Sequence, residues 1–284
     1  MSAGLHLEHD DPTAVNVRRA DGALLWRYVF VPATPANEAP RPYAHPVCSP
    51  AGDVLTNFRP NDHPWHHGLS LTITSVGGTN FWGGPSHRAA DGYQWRDDHG
   101  VQIHRAWTVC SAARLEHTLD WCEPRSGREL LHERRTILTT ADANAWSLRW
   151  TSELLNVSGQ EQPLDHYESL GGLAGSHYTG LQFRGARDLL DEHGDARIGV
   201  TAGDGRSGEA AVHGTASDWM EWHGQHDGSL RRTRIRFENL TGPAPWFVRA
   251  KHPLAAFPFH HRDPRRLPAG ATLRLDHRLT FANA

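Results

Sequence analysis

Apolar and polar residues alternate with a period of two over most of this chain, and that period predicts strands. Leu69, Leu71 and Ile73 alternate with Ser70, Thr72 and Thr74. Alternating runs over 14–18 and 24–31 flank Ala20-Asp21-Gly22, a hairpin signal. Strands over 101–110, 114–122, 129–139 and 145–156 read as a meander, with turns at 124–127 and 141–144. Arg134, Arg135 and Arg149 suit a sheet with one wetter face. Further strands are expected at 181–184, 230–239, 245–251 and 271–281. No helical period persists beyond about two turns.

Between the strands lie loops. Residues 1–12 are polar and expected to fray. Residues 32–42 read as a loop, and Pro42, Pro46, Pro50, Pro60 and Pro64 forbid regular structure in the stretch that follows. Residues 77–100 and 158–180 are glycine-rich polar insertions, and 186–229 read as mostly turns. There is no internal repeat and no low-complexity linker. The expectation is one all-β domain over 1–284, a large antiparallel β-sandwich.

Composition narrows the function classes. The net charge is −3 with His neutral, and no basic stripe stands out, which argues against nucleic acid as partner. The three cysteines Cys48, Cys110 and Cys122 make no disulfide framework. The N-terminus lacks the charged and apolar regions of a signal peptide, and no apolar run reaches the length of a membrane span. A soluble cytoplasmic protein with no membrane partner is expected, with room for a homo-oligomer. Arginine carries almost all the basic charge; Lys251 is the one lysine. The 21 histidines are the anomaly. An arginine-rich composition of this kind suits a GC-rich bacterial genome, which would account for part of the histidine excess.

Four of those histidines, His45, His63, His66 and His67, fall within 23 residues. Neutral imidazole carries protons and ligates metals near neutral pH. In extended chain His66 and His67 point to opposite faces, so both cannot reach one point; a buried structural role is expected for at least one of the four. His63 and His66, with His45, could converge from a loop on a divalent metal. The adjacent Arg41, Tyr43 and Arg59 offer donors, and Trp65 and Trp82 offer flat rings. Trp82 and Trp95 would serve either as a lid or as pins for their loop. A second constellation, Asp165-His166-Tyr167-Glu168, sets imidazole beside carboxylate, with His177 and Tyr178 close behind. A third, Trp219-Met220-Glu221-Trp222, resembles a sugar-stacking wall, with core packing as its rival. In a fourth, Trp246 and Val248 share one strand face and Phe247 and Arg249 the other, leaving Arg249 to hold an anionic or hydroxyl-rich ligand.

RPYAHPVCSPAG, DHPWHHGL, the G-x-x-F-W step ending at Trp82, SHYTGLQFRGAR, APWFVR and FPFHH together resemble a bacterial family of unknown function labelled PmoA-like, or methane oxygenase. The resemblance spans roughly 40–262. It implies an all-β fold and a setting in sugar catabolism, without an assigned mechanism. DHPWHHG and DHYESL are more distantly similar to the histidine and carboxylate steps of aldose 1-epimerases. That likeness implies a galactose mutarotase-like supersandwich with histidines on loops over the sheet.

Three functions follow. The first is an enzyme acting on a small-molecule carbohydrate by proton transfer: an epimerase, mutarotase or lyase. His63 or His66 would donate a proton and His166, Glu168 or Glu221 remove one. Arg41, Arg59 and Arg249 would hold oxygens, with Tyr43 and Tyr178 as further contacts, and Trp65, Trp82 and Trp222 would stack on the ring. A divalent metal on His45, His63 and His66 is an optional cofactor. The second is a metal-dependent oxygenase or hydrolase using His63, His66 and Asp62 or Glu168. The third is a non-catalytic sugar-binding module.

Overall fold

In the computed structural model, residues 4–261 and 263–284 are described. Among them, helix is confined to two single turns, Ala36–Glu38 and Glu209–Val212. None is long and apolar enough to cross a membrane. The strands pair antiparallel, and turns and loops make up the remainder.

Two large sheets carry the architecture. The eight-stranded sheet runs, in spatial order, Leu5–Asp11, Ala14–Arg19, Leu24–Val29, Tyr43–Val47, Leu69–Thr72, Gly180–Arg184, Leu254–Phe257 and Phe247–Arg249. The nine-stranded sheet runs Leu189–Leu190, Trp219–His226, Arg232–Asn239, Thr272–Asn283, Ala145–Asn156, Glu129–Ala141, Arg114–Cys122 and Val101–Ser111, with Gly199–Ala202 added against Trp219–His226. One apolar cluster joins residues from both sheets. Phe183 of the first meets Trp222, Phe237 and Phe281 of the second at ring separations of 5.7, 5.6 and 6.1 Å. The Trp26 indole of the first donates to Thr139 Oγ1 of the second at 3.2 Å. The expected all-β sandwich is what the chain forms.

The meander forms as the alternation predicts. In Ala145–Asn156 every second residue, Trp146, Leu148, Trp150, Ser152 and Leu154, is buried. Four expectations need correction. Residues 5–11, read as fraying, pair along Ala14–Arg19 as an edge strand. Trp219–His226 is a full strand of the nine-stranded sheet and not a turn region. Tyr43–Val47, in the stretch whose prolines read as forbidding regular structure, is a strand paired with Leu24–Val29. Finally, Arg135 does not face water. Its neighbours in the alternation, Glu133 and Ile137, point inward, and it goes with them.

Burying Arg135 requires a complete set of partners, because an unpaired buried charge is costly. Glu133 receives Arg135 Nε at 2.7 Å and Nη2 at 2.8 Å, and also accepts from Trp121 and Ser152. Arg135 Nη1 donates to the Tyr28 hydroxyl across the sandwich at 2.9 Å. Both charged side chains are wholly buried. Glu133→Ala is therefore expected to cost about 3–5 kcal/mol, and the apolar pair Glu133→Leu/Arg135→Met to recover most of it. Urea midpoints at constant slope measure both; a single variant as stable as the parent would show that the pair is not what holds the sheets together here.

The interior also holds neutral imidazoles. Burial pushes His277 down to about 3 and His117 well below its ordinary value. The unfolded chain titrates its histidines near 6.5. It thus binds more protons than the folded chain between about 6.5 and about 3. Their stabilising contribution is complete above the unfolded value and is lost as pH falls through that interval. Calorimetry should show a melting temperature that falls steadily from about pH 7 to about pH 5, with a shallower fall in His277→Leu. Equal slopes in the two proteins would refute the assignment to His277.

Candidate functional site

The outer face of the eight-stranded sheet is covered by loops, and the register of four strands shows what lies beneath them. Arg184 pairs with Leu254, which pairs with Arg249. One row along, Ser70, Gln182, Ala256 and Phe247 lie side by side. Their neighbours Leu69, Phe183, Ala255 and Val248 point into the core. The face away from the core thus carries two arginines, an amide and an aromatic ring. The Gln182 amide is fully buried, and neither of its polar atoms has a partner among the described residues.

The proline-rich loop is clasped over this face by buried polar groups. Arg41 donates to the carbonyls of Glu38, Ala39 and Trp65 and to Ser70 Oγ, at 2.9, 3.0, 2.7 and 3.2 Å. Glu38 is itself buried and accepts from Arg59 at 2.7 Å and from His67 Nε2 at 2.9 Å. Gly84, at φ +71°, lets the backbone run against the Trp65 ring, where a Cβ would sit 2.3 Å away. Any side chain here would push Trp65 aside.

Loops and sheet enclose a cavity of about 480 Å³. Its aromatic wall is Trp65, Trp82, Tyr93, Tyr167, Tyr178 and Phe247. Trp82 and Tyr178 pack at 4.6 Å, and Tyr178 meets Phe247 at 5.2 Å. The polar groups are Asp62, His63, His66, Arg184, Arg249, Lys251 and His252.

Arg184, 2% exposed, holds the Asp62 carboxylate at 2.9 and 3.1 Å. Arg187 also contacts Asp62. Burial works against this carboxylate, but the neighbouring His63 and the hydrogen bonds from Arg184 outweigh it and hold its pKa well below the usual range. The same burial lowers Arg184, yet the pair stays ionised because each charge answers the other. His63 Nδ1 lies 3.0 Å from Asp62, at ion-pair distance without hydrogen-bond alignment.

His66 is buried, and burial followed by the charges of His63, Arg184 and Arg41 lowers its pKa far below 6.5. It is neutral at pH 7. Arg184 Nη1 approaches its Nδ1 at 3.4 Å. A guanidinium only donates, so Nδ1 accepts and the ring proton sits on Nε2. Among the described residues Nε2 has no partner, and His66 lines the cavity. His66 is therefore a neutral donor. Its ring lies nearly parallel to that of His63, 4.8 Å away at 21°.

Of the residues expected at the site, His63, His66, Trp65, Trp82, Tyr178 and Arg249 meet here. Others do not. Trp222, 1% exposed, is core on the far side of the sheet, and Glu221 faces His223 on the outside of the nine-stranded sheet. A strand puts neighbours on opposite faces, so neither reaches the cavity. Arg41 and Arg59 are consumed by the clasp. Tyr43 stacks on Phe58 at 4.8 Å. His45 stacks on the other side of the loop from the cavity lining, bonded to Thr56 Oγ1 at 2.9 Å and pushed by burial to about 4. His166 donates to the His261 carbonyl and accepts from Ser169 N, so both nitrogens are committed. Glu168 does not line the cavity; its carboxylate faces His177 at 3.6 Å.

The metal triad does not assemble. The ligand atoms of His45, His63 and His66 form no group within 4.8 Å of one another, nor do those of His63, His66 and Asp62 or Glu168. The one such group among the described residues is Asp120, Glu129 and His132, on the other sheet, where Asp120 already pairs with Arg105. Arg184, Lys251 and His252 were missed as site residues. For Arg184 a signal existed: in Leu181-Gln182-Phe183-Arg184 the polar pair shares the face opposite the apolar pair. Lys251 and His252 sit on a turn and carry no periodic signal.

Among solved structures, the chain is similar to a protein described as an aldose 1-epimerase candidate from Escherichia coli K12, at 12% identity and TM-score 0.38, covering 99% of each chain. It is similar to a galactose mutarotase related enzyme from Lactobacillus acidophilus at 7% identity and TM-score 0.37, covering 99% of this chain and 97% of that one. It is also similar to the galactosidase domain of an alpha-galactosidase–sucrose kinase at 7% identity and TM-score 0.35, covering 99% of this chain and 40% of that one. None of the curated proteins matches the chain. Nothing in these comparisons supports the PmoA-like label. The sequence pattern of a family of unknown function, DUF6807, matches residues 15–284, and the chain belongs to that family.

Proposed function

We propose that the cavity binds a sugar ring and moves a proton on it. The observation that carries this reading is the meeting of an aromatic wall with the His63–His66 pair in one enclosed space. Indole and phenol faces suit the C–H faces of a pyranose, and a cavity of about 480 Å³ falls in the range of small-ligand sites.

The chemistry follows from the two imidazoles. A carbon beside a carbonyl loses its proton when a base accepts it and a donor meets the charge that builds on the carbonyl oxygen. His66, neutral with its proton on Nε2, fits the donor role. It does not fit a base, because Arg184 occupies Nδ1. His63 fits the base: it is half-exposed, lies beside the Asp62 carboxylate, and its ring stacks on His66. The carbon's electron pair moves into the enolate, the proton goes to His63, and return of a proton to either face gives epimerisation. Loss of a substituent from the neighbouring carbon instead gives elimination. Asp62 stays ionised and orients His63.

Hexoses and 3-keto-glycosides incubated with the protein in deuterated water test this by NMR. Deuterium at a single carbon is the expected result; binding without incorporation across the panel would leave a non-catalytic sugar-binding module. His66→Ala should lower exchange by about 10²–10³, the usual loss for one such donor, while the sugar still binds. Glu221→Gln should leave exchange unchanged, since Glu221 faces away on the other sheet. Loss of exchange in the Glu221 variant would displace the site from this cavity.

A further inference from the structure

We propose that the cavity selects a sugar that carries an anionic group, a carboxylate or a phosphate, and that Arg249 and Lys251 receive it. This rests on the sugar reading above and names its substrate class.

Charge is the first observation. The cavity lining holds one carboxylate, Asp62, and three cationic side chains, Arg184, Arg249 and Lys251. Asp62 is already matched by Arg184 and by Arg187 outside the lining. Lys251 therefore remains without an ion pair among the described residues, and Arg249 has only the looser 3.7 Å contact with Glu209, on the wall of a chain whose net charge is −3. Cations gathered in a walled cleft concentrate anions there.

Position is the second. Arg184 and Arg249 flank Leu254 on neighbouring strands and the same face, so their Cα atoms lie about 10 Å apart, two strand spacings. Lys251 follows two residues later, on the turn into Leu254–Phe257. Arg249 and Lys251 thus stand two residues apart, at a strand end and the turn that follows it, and both line the cavity.

Availability is the third. Arg249 is oriented by its Nη1 alone, which donates to the Val248 carbonyl at 3.0 Å and lies 2.9 Å from His213 Nδ1. Its guanidinium lies over the Phe247 ring at 4.6 Å. Glu209 approaches only to 3.7 Å. Among the described residues Nε and Nη2 have no partner, and Lys251 makes no ion pair. A planar guanidinium with two free donors matches the two oxygens of a carboxylate or phosphate. Arg41, whose donors end on backbone carbonyls and Ser70 Oγ, offers no such edge.

Titration calorimetry with D-glucuronate, D-galacturonate and glucose 6-phosphate, against D-glucose and D-galactose, tests the assignment. At low salt the acidic sugars should bind at least about tenfold tighter, the worth of one charge-assisted contact. The preference should shrink at about 0.5 M salt. Arg249→Gln and Lys251→Gln should each reduce the ratio of acidic to neutral affinity by about tenfold. Lys251 is exposed on a turn, so its variant should melt with the parent. Uronate and glucose 6-phosphate tell a carboxylate from a phosphate. Neutral hexoses binding as tightly as the acids, or a preference untouched by both variants, would overturn the proposal while leaving the sugar reading intact. Binding of inorganic phosphate that is lost in Arg249→Gln, with no sugar bound, would keep the anion site and remove the sugar. Failure of every anion to bind removes the anion site, whatever the deuterium experiment shows.

Discussion

The ion pair between Asp62 and Arg184 holds the site together. It joins the proline-rich loop to the middle of the eight-stranded sheet, 122 residues later in the chain. The backbone reinforces it: Arg184 N donates to the Gly68 carbonyl at 2.8 Å, and Asn57 N donates to the Arg184 carbonyl at 2.9 Å. Removing Asp62 would leave a guanidinium almost wholly buried and unanswered, a loss of about 3–5 kcal/mol. The pair also sets the two imidazoles beside it. Arg184 lowers the basicity of His66 and fixes its tautomer, and Asp62 places His63 beside it. One contact thus sets the loop position, the tautomer of His66 and the place of His63.

The arginines of this face differ in what remains of their donors. Arg41 and Arg184 are buried because the protein supplies partners for them, carbonyls in one case and a carboxylate in the other. Arg59 turns back onto Glu38. Arg249 alone of these keeps an open edge toward the cavity. The sequence-based choice of Arg41 and Arg59 rested on closeness to the histidines along the chain. Residues close in sequence are more often the ones that hold a loop in shape. Arg249, which lines the cavity, comes from a strand some 190 positions away on the same sheet face.

What could be read in the sequence follows the same logic. Strands with clean alternation, such as Ala145–Asn156, were legible because one face is core and the other solvent. Phe247 and Arg249 were assigned to one face for that reason, and His66 and His67 to opposite faces. Arg135 was misplaced because its partner, Glu133, lies two residues away on the same face, and the period alone cannot tell a wet face from a satisfied ion pair. Trp219–His226 was read as turn because its charged residues and glycine resemble a loop; only pairing with Arg232–Asn239 makes it a strand. The convergence of Asp62 with Arg184 was illegible in principle. It depends on which strands become neighbours, and no local pattern encodes that.

The abundance of imidazole overstates the supply of proton carriers. A neutral ring has one donor and one acceptor nitrogen, so committing one fixes the other. His67 gives its Nε2 proton to Glu38 and keeps a buried acceptor. His166 spends both nitrogens on backbone groups. Burial lowers all three of His66, His67 and His166, the latter two to about 4, so none stores a proton at neutral pH. These rings act as rigid hydrogen-bonding spacers in a loop layer too irregular to satisfy itself by backbone pairing. His66 differs from the rest in one respect: the nitrogen that its partner leaves over is on the cavity side. That difference, and not the number of histidines, is what makes the stretch a candidate for catalysis.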